Sequence, residues 1–210
     1  MQLVLASTSP RRRELLALLG LFFDVCAPTF EEYPLPGLPP RDQVMYFALE
    51  KARSVAHVRP HDLVLGSDTV IELDGKLLGK PVDLADARSM LMRLAGRAHH
   101  VHTAVALCGK ERSIESGEVA TATVRMKLDI NHAIERYLAT QESLGKAGAY
   151  SIQGTGGDLV EQIDGDYTAV VGLPVKMVAG LLLSVGYPVS QDIDALYQRK
   201  PYPNWSRFMA

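Results

Sequence analysis

Ser7-Thr8-Ser9-Pro10-Arg11-Arg12-Arg13 places three consecutive guanidinium groups directly behind two serines and a proline. Ser9 is a plausible N-cap and Pro10 a plausible first helical residue, so the arginines fall in the first turn of a helix. Cations there oppose the helix dipole. An anion would reverse that cost, because unpaired backbone N–H groups, the Ser7 and Ser9 hydroxyls and Arg11, Arg12 and Arg13 together form a phosphate-binding arrangement. A single arginine so placed would read as solvated, and three favour an anion site.

Gly66-Ser67-Asp68-Thr69 follows the apolar run Asp62 to Gly66. A carboxylate at the end of a buried strand can hold a divalent cation or take a proton from water, or simply satisfy backbone donors at a strand break. Glu31-Glu32 on the preceding loop could complete a magnesium site or be a solvated pair. Lys51 and Lys80 are surface lysines unless they converge with the arginines. Gln153, in Ala147-Gly148-Ala149-Tyr150-Ser151-Ile152-Gln153-Gly154, carries a donor and an acceptor suited to a base edge, among small residues that admit a ligand close to the backbone. His100 and His102 share one strand face and His99 the other, and without carboxylates or thiols at ligand spacing they read as strand-surface histidines. Neither a P-loop nor a Rossmann fingerprint occurs, and no G-x-S-x-G elbow supports a hydrolase triad.

These groups need a frame. Leu3 to Ala6 reads as a buried strand, followed by the helix that Gly20 ends, and Phe22 to Ala27 as a second strand. Pro28 to Pro40 reads as an ordered loop or flap. A helix from Asp42 to Val58 carries Val44, Phe47, Ala48, Ala52, Val55 and Ala56 on one stripe, with Lys51 at its border. The triplet 67–69 interrupts a strand that resumes at Val70, and Asp74-Gly75 marks a hairpin. Asp83 caps a helix to Leu94. His100 to Leu107 and Val119 to Leu128 alternate as antiparallel strands, and Asp129 opens a helix to Leu138. A strand pair is expected about Asp164-Gly165-Asp166, then a last helix from Pro174. With two prolines and weak periodicity, 190–210 reads as a peripheral tail on a single domain, 1–189.

The chain has 210 residues, 47% of them hydrophobic and 22% charged, with a net charge of −2. That balance argues against broad nucleic-acid binding and makes any anion site local. No apolar run approaches the roughly 20 residues of a membrane helix, and no cleavable leader is apparent. Cys26 and Cys108 lie far apart in apolar surroundings and read as buried free thiols, in keeping with a cytoplasmic location.

Taken in order, LASTSPRRRELL, the EKA of Glu50 to Ala52, GSDTV, GKP at Gly79 to Pro81, SMLMRLAGRAHHVHTAV, KAGAYSIQG and DGDYTAVVGLP resemble the Maf family of nucleoside triphosphate pyrophosphatases, historically linked to septum formation. The resemblance runs from Leu3 to Leu183. It implies an α/β fold of two lobes around a central cleft, a mixed sheet with flanking helices, related to the inosine triphosphate pyrophosphatases. It implies cleavage between the α and β phosphates of a nucleoside triphosphate with a divalent metal, Mg or Mn. By the same resemblance Ser7 and Arg11 to Arg13 hold phosphates, with Arg11 also implicated in substrate choice, and Lys51 and Lys80 neutralise the triphosphate. Asp68 is the proton acceptor or metal-bound base, and Glu32, ahead of Glu31, helps hold the metal.

Thr69 and Gln153 match positions that distinguish subfamilies, and a glutamine in A-Y-x-I-Q-G resembles the dTTP and UTP branch. The branch acting on 7-methyl-GTP tends to have Ser-Glu-Gly there. A nucleotide-binding regulator of cell division without turnover is the alternative of another class, and a general base at Asp68 argues against it. The chain departs from the family pattern at Gly145 and in the polar loop Gly154 to Asp158, both near the implied base pocket. The sequence leaves monomer or homodimer open.

Overall fold

In a computed structural model, residues 1–33 and 35–208 are described; Pro34 of the expected loop and Met209 and Ala210 of the expected tail lie outside the described residues. Among the described residues, seven strands form a single mixed sheet: β1 (Leu3–Ala6), β2 (Phe23–Cys26), β3 (Leu63–Leu73), β4 (Lys76–Leu78), β5 (Ala98–Gly109), β6 (Ile114–Met126) and β7 (Val160–Asp164). Their order is β2-β1-β3-β5-β6-β7, with β4 paired to β3. β1 runs parallel to both β2 and β3, and the remaining pairs are antiparallel. Helices α1 (Pro10–Ala17), α2 (Pro40–Val58), α3 (Leu84–Leu94), α4 (Asn131–Ala139), α5 (Tyr167–Val171), α6 (Val175–Ser184), α7 (Ile193–Arg199) and α8 (Trp205–Phe208) flank it. The α/β architecture expected from the sequence is thus present.

Strand alternation divides the core. Leu3, Leu5, Leu63, Leu65, Val105 and Leu107 join the larger cluster with the side chains of α1, α3, α4 and α6. Val4, Ala6, Val64, Ala104, Ala106 and Cys108 point the other way and are covered by Val44, Ala48, Ala52, Val55 and Ala56 of α2. The side chains facing α2 are small, so the helix lies close to the sheet. At Gly66 the approach is closest: an added Cβ would stand 2.2 Å from the Ala48 carbonyl oxygen.

The polar triplet does not interrupt the strand. β3 runs unbroken for 11 residues, because β5 pairs with it throughout, Asp68 opposite Ala104 and Thr69 opposite Thr103. On the other side β1 ends with Ala6 opposite Gly66, and the chain turns off through a 3.0 Å bond from the Ser7 N–H to the Leu5 carbonyl. The edge of β3 beyond Gly66 is therefore left without β1 as a neighbour. Asp74 and Gly75 both take positive φ, 53° and 74°, as the expected tight hairpin requires, and Asp83 caps α3 by accepting from the Asp86 N–H at 2.8 Å.

Three other expectations are corrected. Asp164-Gly165-Asp166 does not join two strands: Asp166 accepts from the Thr168 N–H and hydroxyl, both at 2.8 Å, and caps α5. The described part of 190–210 is not peripheral, since Trp205 is 0% exposed and stacks on Tyr167 at 5.9 Å. An indole of that area is core material wherever it falls in the chain. Two of the three histidines are interior: His102 bonds Thr121 at 2.8 Å and Glu72 at 2.7 Å, and His99 bonds the Tyr150 hydroxyl at 2.7 Å. Of the cysteines, both free, Cys108 is buried and Cys26 half-buried.

Candidate functional site

A cavity of about 520 Å³ opens where β1 stops and β3 continues. Its walls come from the β1–α1 turn (Ser7 to Arg12), the 28–32 loop, Lys51 of α2, Asp68 and Thr69 of β3, Lys80, the 145–152 segment and the end of α5. The topology explains the location, since a strand that loses one neighbour exposes its next side chains at a switch in sheet direction.

At the buried end, Lys51 Nζ donates to both Asp68 Oδ1 and Glu32 Oε1. Lys51 and Asp68 are 6% and 5% exposed. Lys51 sits at the border of the apolar stripe of α2, where the close approach at Gly66 delivers it to the strand. Arg12 Nη2 lies 3.9 Å from Asp68 Oδ1. Burial pushes the Asp68 carboxyl above the usual carboxylate range, against the pull of Lys51 and Arg12. For Glu32 burial also acts upward, but the hydrogen bond and charge of Lys51, aided by Lys80 and Arg12, outweigh it and hold the carboxyl below its ordinary value. Glu32 keeps a side chain 38% accessible.

The three arginines have three different places. Arg12 is held from every side: Nε donates to the Gly172 carbonyl at 3.0 Å, Nη1 to Ser7 Oγ at 3.4 Å and Nη2 to Thr69 Oγ1 at 3.3 Å. Burial lowers its pKa, partly offset by Asp68 and Glu32; a guanidinium remains charged under such a shift. Thr69 is fixed in turn by Thr103, whose hydroxyl donates to it at 3.0 Å and to the Ala169 carbonyl at 2.8 Å. Gly172 takes φ 128°, which a side chain would oppose. Arg11 lines the cavity and Arg13 is exposed away from it. Ser9 makes no side-chain cap; its N–H instead donates to Ser7 Oγ at 3.2 Å.

Ser7, Arg11, Arg12, Glu32, Lys51, Asp68, Thr69 and Lys80 therefore meet around one cavity, and Arg13, Glu31 and Gln153 are not among its lining residues. Glu31 accepts from the Tyr33 hydroxyl. Gln153 directly follows the lining residues Ser151 and Ile152. Sequence reasoning missed Lys146 and Tyr150, which also line the cavity. Lys146 opens the Lys-Ala-Gly-Ala-Tyr block, and a cation preceding small residues was the available signal.

Among the described residues no cluster of three or more His, Cys, Asp and Glu forms a ready metal cage. The acidic pair Glu32 and Asp68, which both accept from Lys51 Nζ beside the β1–α1 turn, has the chemistry of a magnesium or manganese site that takes its remaining ligands from substrate phosphates and water. The arrangement can thus neutralise a polyanion at one end and hold a buried base beside it.

The family model described as Maf-like protein matches residues 2–185. A protein of Anaeromyxobacter dehalogenans named dTTP/UTP pyrophosphatase is 47% identical, over 90% of this chain and 96% of its own. One of Shewanella oneidensis with the same name is 45% identical, over 89% and 99%, and one of Clostridioides difficile 44%, over 87% and 94%. Among solved structures, the Staphylococcus aureus Ham1 protein aligns with 60% of this chain and 72% of its own at 15% identity and a TM-score of 0.41. With the sequence blocks, the cavity they enclose and a match along nearly the whole chain in agreement, the protein belongs to the Maf-like family.

Proposed function

We propose that this protein hydrolyses pyrimidine nucleoside triphosphates, dTTP and UTP, to the monophosphate and pyrophosphate. The observation that carries the reading is the buried Asp68 carboxylate, raised by burial and held by Lys51 and Arg12 at the inner end of a cavity rimmed by Arg11 and Lys80. The names of the relatives support the substrate class.

In this mechanism Arg11, Arg12, Lys80 and the Ser7 hydroxyl bind the triphosphate and spread its charge. Asp68 accepts a proton from a water whose oxygen bonds to phosphorus, while the bridging P–O bond breaks and its electron pair leaves with pyrophosphate. A carboxyl raised above its ordinary range is a better base for that proton. Lys51 keeps Asp68 ionised and oriented. Glu32 and Asp68 are the residues that would hold a magnesium or manganese ion, which supplies further neutralisation of the phosphates when bound. Thr69 orients Arg12, and Gln153, next to the lining residues Ser151 and Ile152, reads the base beside the apolar walls of Val101, Tyr150 and Ile152. Arg13 takes no part.

The test is pyrophosphate release from dTTP, UTP, CTP and 7-methyl-GTP with magnesium or manganese, alongside Asp68→Asn. Release ranked dTTP and UTP first, lowered about 10²–10⁴-fold in the variant, is the expected result. No release from any triphosphate would refute the activity, and 7-methyl-GTP ranked first would refute the substrate class.

A further inference from the structure

Residues 187–208 lie beyond the 2–185 match to the family, yet they are built against the end of the cavity that the proposed function gives to the base. The segment is anchored by Trp205, stacked on Tyr167 and met edge-on by Tyr197 at 4.9 Å. From that anchor Asn204 reaches the 151–158 segment and Tyr202 reaches α1. The Asn204 Nδ2 group donates to the carbonyls of Ile152 at 2.9 Å and Gly154 at 3.3 Å. Tyr202, 7% exposed, donates its hydroxyl to Glu14 at 2.6 Å. Burial and then Glu14 push the Tyr202 phenol above its usual range, while a hydrogen bond from the Gln153 side chain acts the other way.

The polar loop that departs from the family pattern is the partner of this segment. A Cβ on Gly157 would stand 2.7 Å from Asn204 Nδ2, and Asp158 pairs with Arg207 at 2.9 Å. The loop and the C-terminal segment fit each other, and both border Ile152 of the cavity wall.

We propose that the C-terminal segment is a strap that sets the base-reading wall of the cleft, with Tyr202 and Asn204 as positioning residues for Gln153 and for the Ser151–Ile152 backbone. This rests on the reading that Gln153 selects the base. An amide presents a donor end and an acceptor end. Asn204 fixes the carbonyls on either side of Gln153; when the Gln153 NH2 group donates to the Tyr202 oxygen, its carbonyl oxygen is kept for the ring N3–H of uracil or thymine, whereas cytosine presents an acceptor at that position. Releasing the amide lets it present either end.

The experiment uses the full chain and compares kcat/KM for UTP and CTP, with thermal unfolding, in Tyr202→Phe, Asn204→Ala, Gln153→Ala and the Gln153/Tyr202 double variant. Tyr202→Phe keeps the ring and is expected to lower the UTP:CTP ratio about tenfold, the scale of one selective hydrogen bond. The loss falls on KM rather than kcat, and the double variant matches Gln153→Ala. Asn204→Ala is expected to raise KM for both triphosphates severalfold. If Gln153→Ala changes the ratio and Tyr202→Phe does not, the strap is refuted and the Gln153 reading stands. If Gln153→Ala leaves the ratio unchanged, that reading falls, and the strap then stands or falls on the KM of Asn204→Ala. Should Tyr202→Phe fail to fold, Asn204→Ala decides in the same way, and lowered unfolding temperatures with unchanged ratio and KM overturn the proposal.

Discussion

Gly66→Ala joins the fold to the chemistry in a single atom. An ideal Cβ at this position would lie 2.2 Å from the Ala48 carbonyl oxygen and 2.9 Å from the Ala52 backbone nitrogen. Contacts of this kind essentially never fall below 3.0 Å, so α2 and β3 must separate by at least about 0.8 Å. The strand cannot yield, because β1 and β5 flank it at this residue, so the helix moves and carries Lys51 away from Asp68. Overpacking of this kind costs roughly 1–3 kcal/mol, which lowers the melting temperature of a chain this long by roughly 2–12 °C. A displacement near 1 Å at a reacting centre costs on the order of 10²-fold in rate. The assay is pyrophosphate release at a temperature well below both transitions, with unfolding followed separately. Gly180→Ala is the control: it sits inside α6 with nothing within 4 Å of the added carbon, and should raise stability by about 0.5–1 kcal/mol without touching turnover. A Gly66→Ala protein with unchanged kcat/KM and unchanged melting temperature would refute the claim that this glycine sets the distance between Lys51 and Asp68.

Three further outcomes follow from the same structure. Lys51→Met leaves the buried Asp68 carboxylate with Arg12 alone, at a cost of about 3 kcal/mol at neutral pH; because protonation of Asp68 relieves it, the deficit measured by urea unfolding should shrink as pH falls. His99 is held to a pKa of about 4 by burial and then by His100, and its Nδ1 has no partner among the described residues. The unfolded chain takes up that proton first, so stability should fall by about 3 kcal/mol from pH 6.5 down to 4, and His99→Phe should flatten this part of the profile relative to the parent. Trp205→Ala should cost about 3–5 kcal/mol, detectable in the urea midpoint; a change under 1 kcal/mol would show that the C-terminal segment contributes nothing to the core.

Local signals carried most of the fold. The Ser-Pro start of α1, the Asp83 cap, the Asp74-Gly75 hairpin and the two strands β5 and β6 are each set by residues close in sequence, and each is present, with β6 beginning at Ile114 rather than Val119. What could not be read there depends on partners far along the chain. The run Ser67 to Thr69 looks like a strand break because polar residues rarely continue a buried strand; β5, some 35 positions later, pairs with all three residues. Arg12 and Arg13 are indistinguishable by type, and Arg12 is the interior one because the Gly172 carbonyl, 160 positions away, accepts its Nε–H. Trp205 lies between prolines and polar residues that conceal its role, and only Tyr167 and Tyr197 reveal it as core. The site was legible as residue types in order, and its geometry was not: Lys51 reaches Asp68 through the missing side chain of Gly66.

Lys51 donates to two carboxylates, Asp68 and Glu32. The enzyme is therefore its own counterion. An arriving anion meets Arg11, Lys80 and Lys146 on the cavity wall, but at the inner end it competes with Glu32 and Asp68 for Lys51, and a ligand with several phosphate groups offers more contacts to win that exchange. A monophosphate product, or free phosphate, has too few. Neutralisation of Lys51 within the cleft thus works as a threshold on ligand charge, favouring capture of the triphosphate and departure of what remains after cleavage.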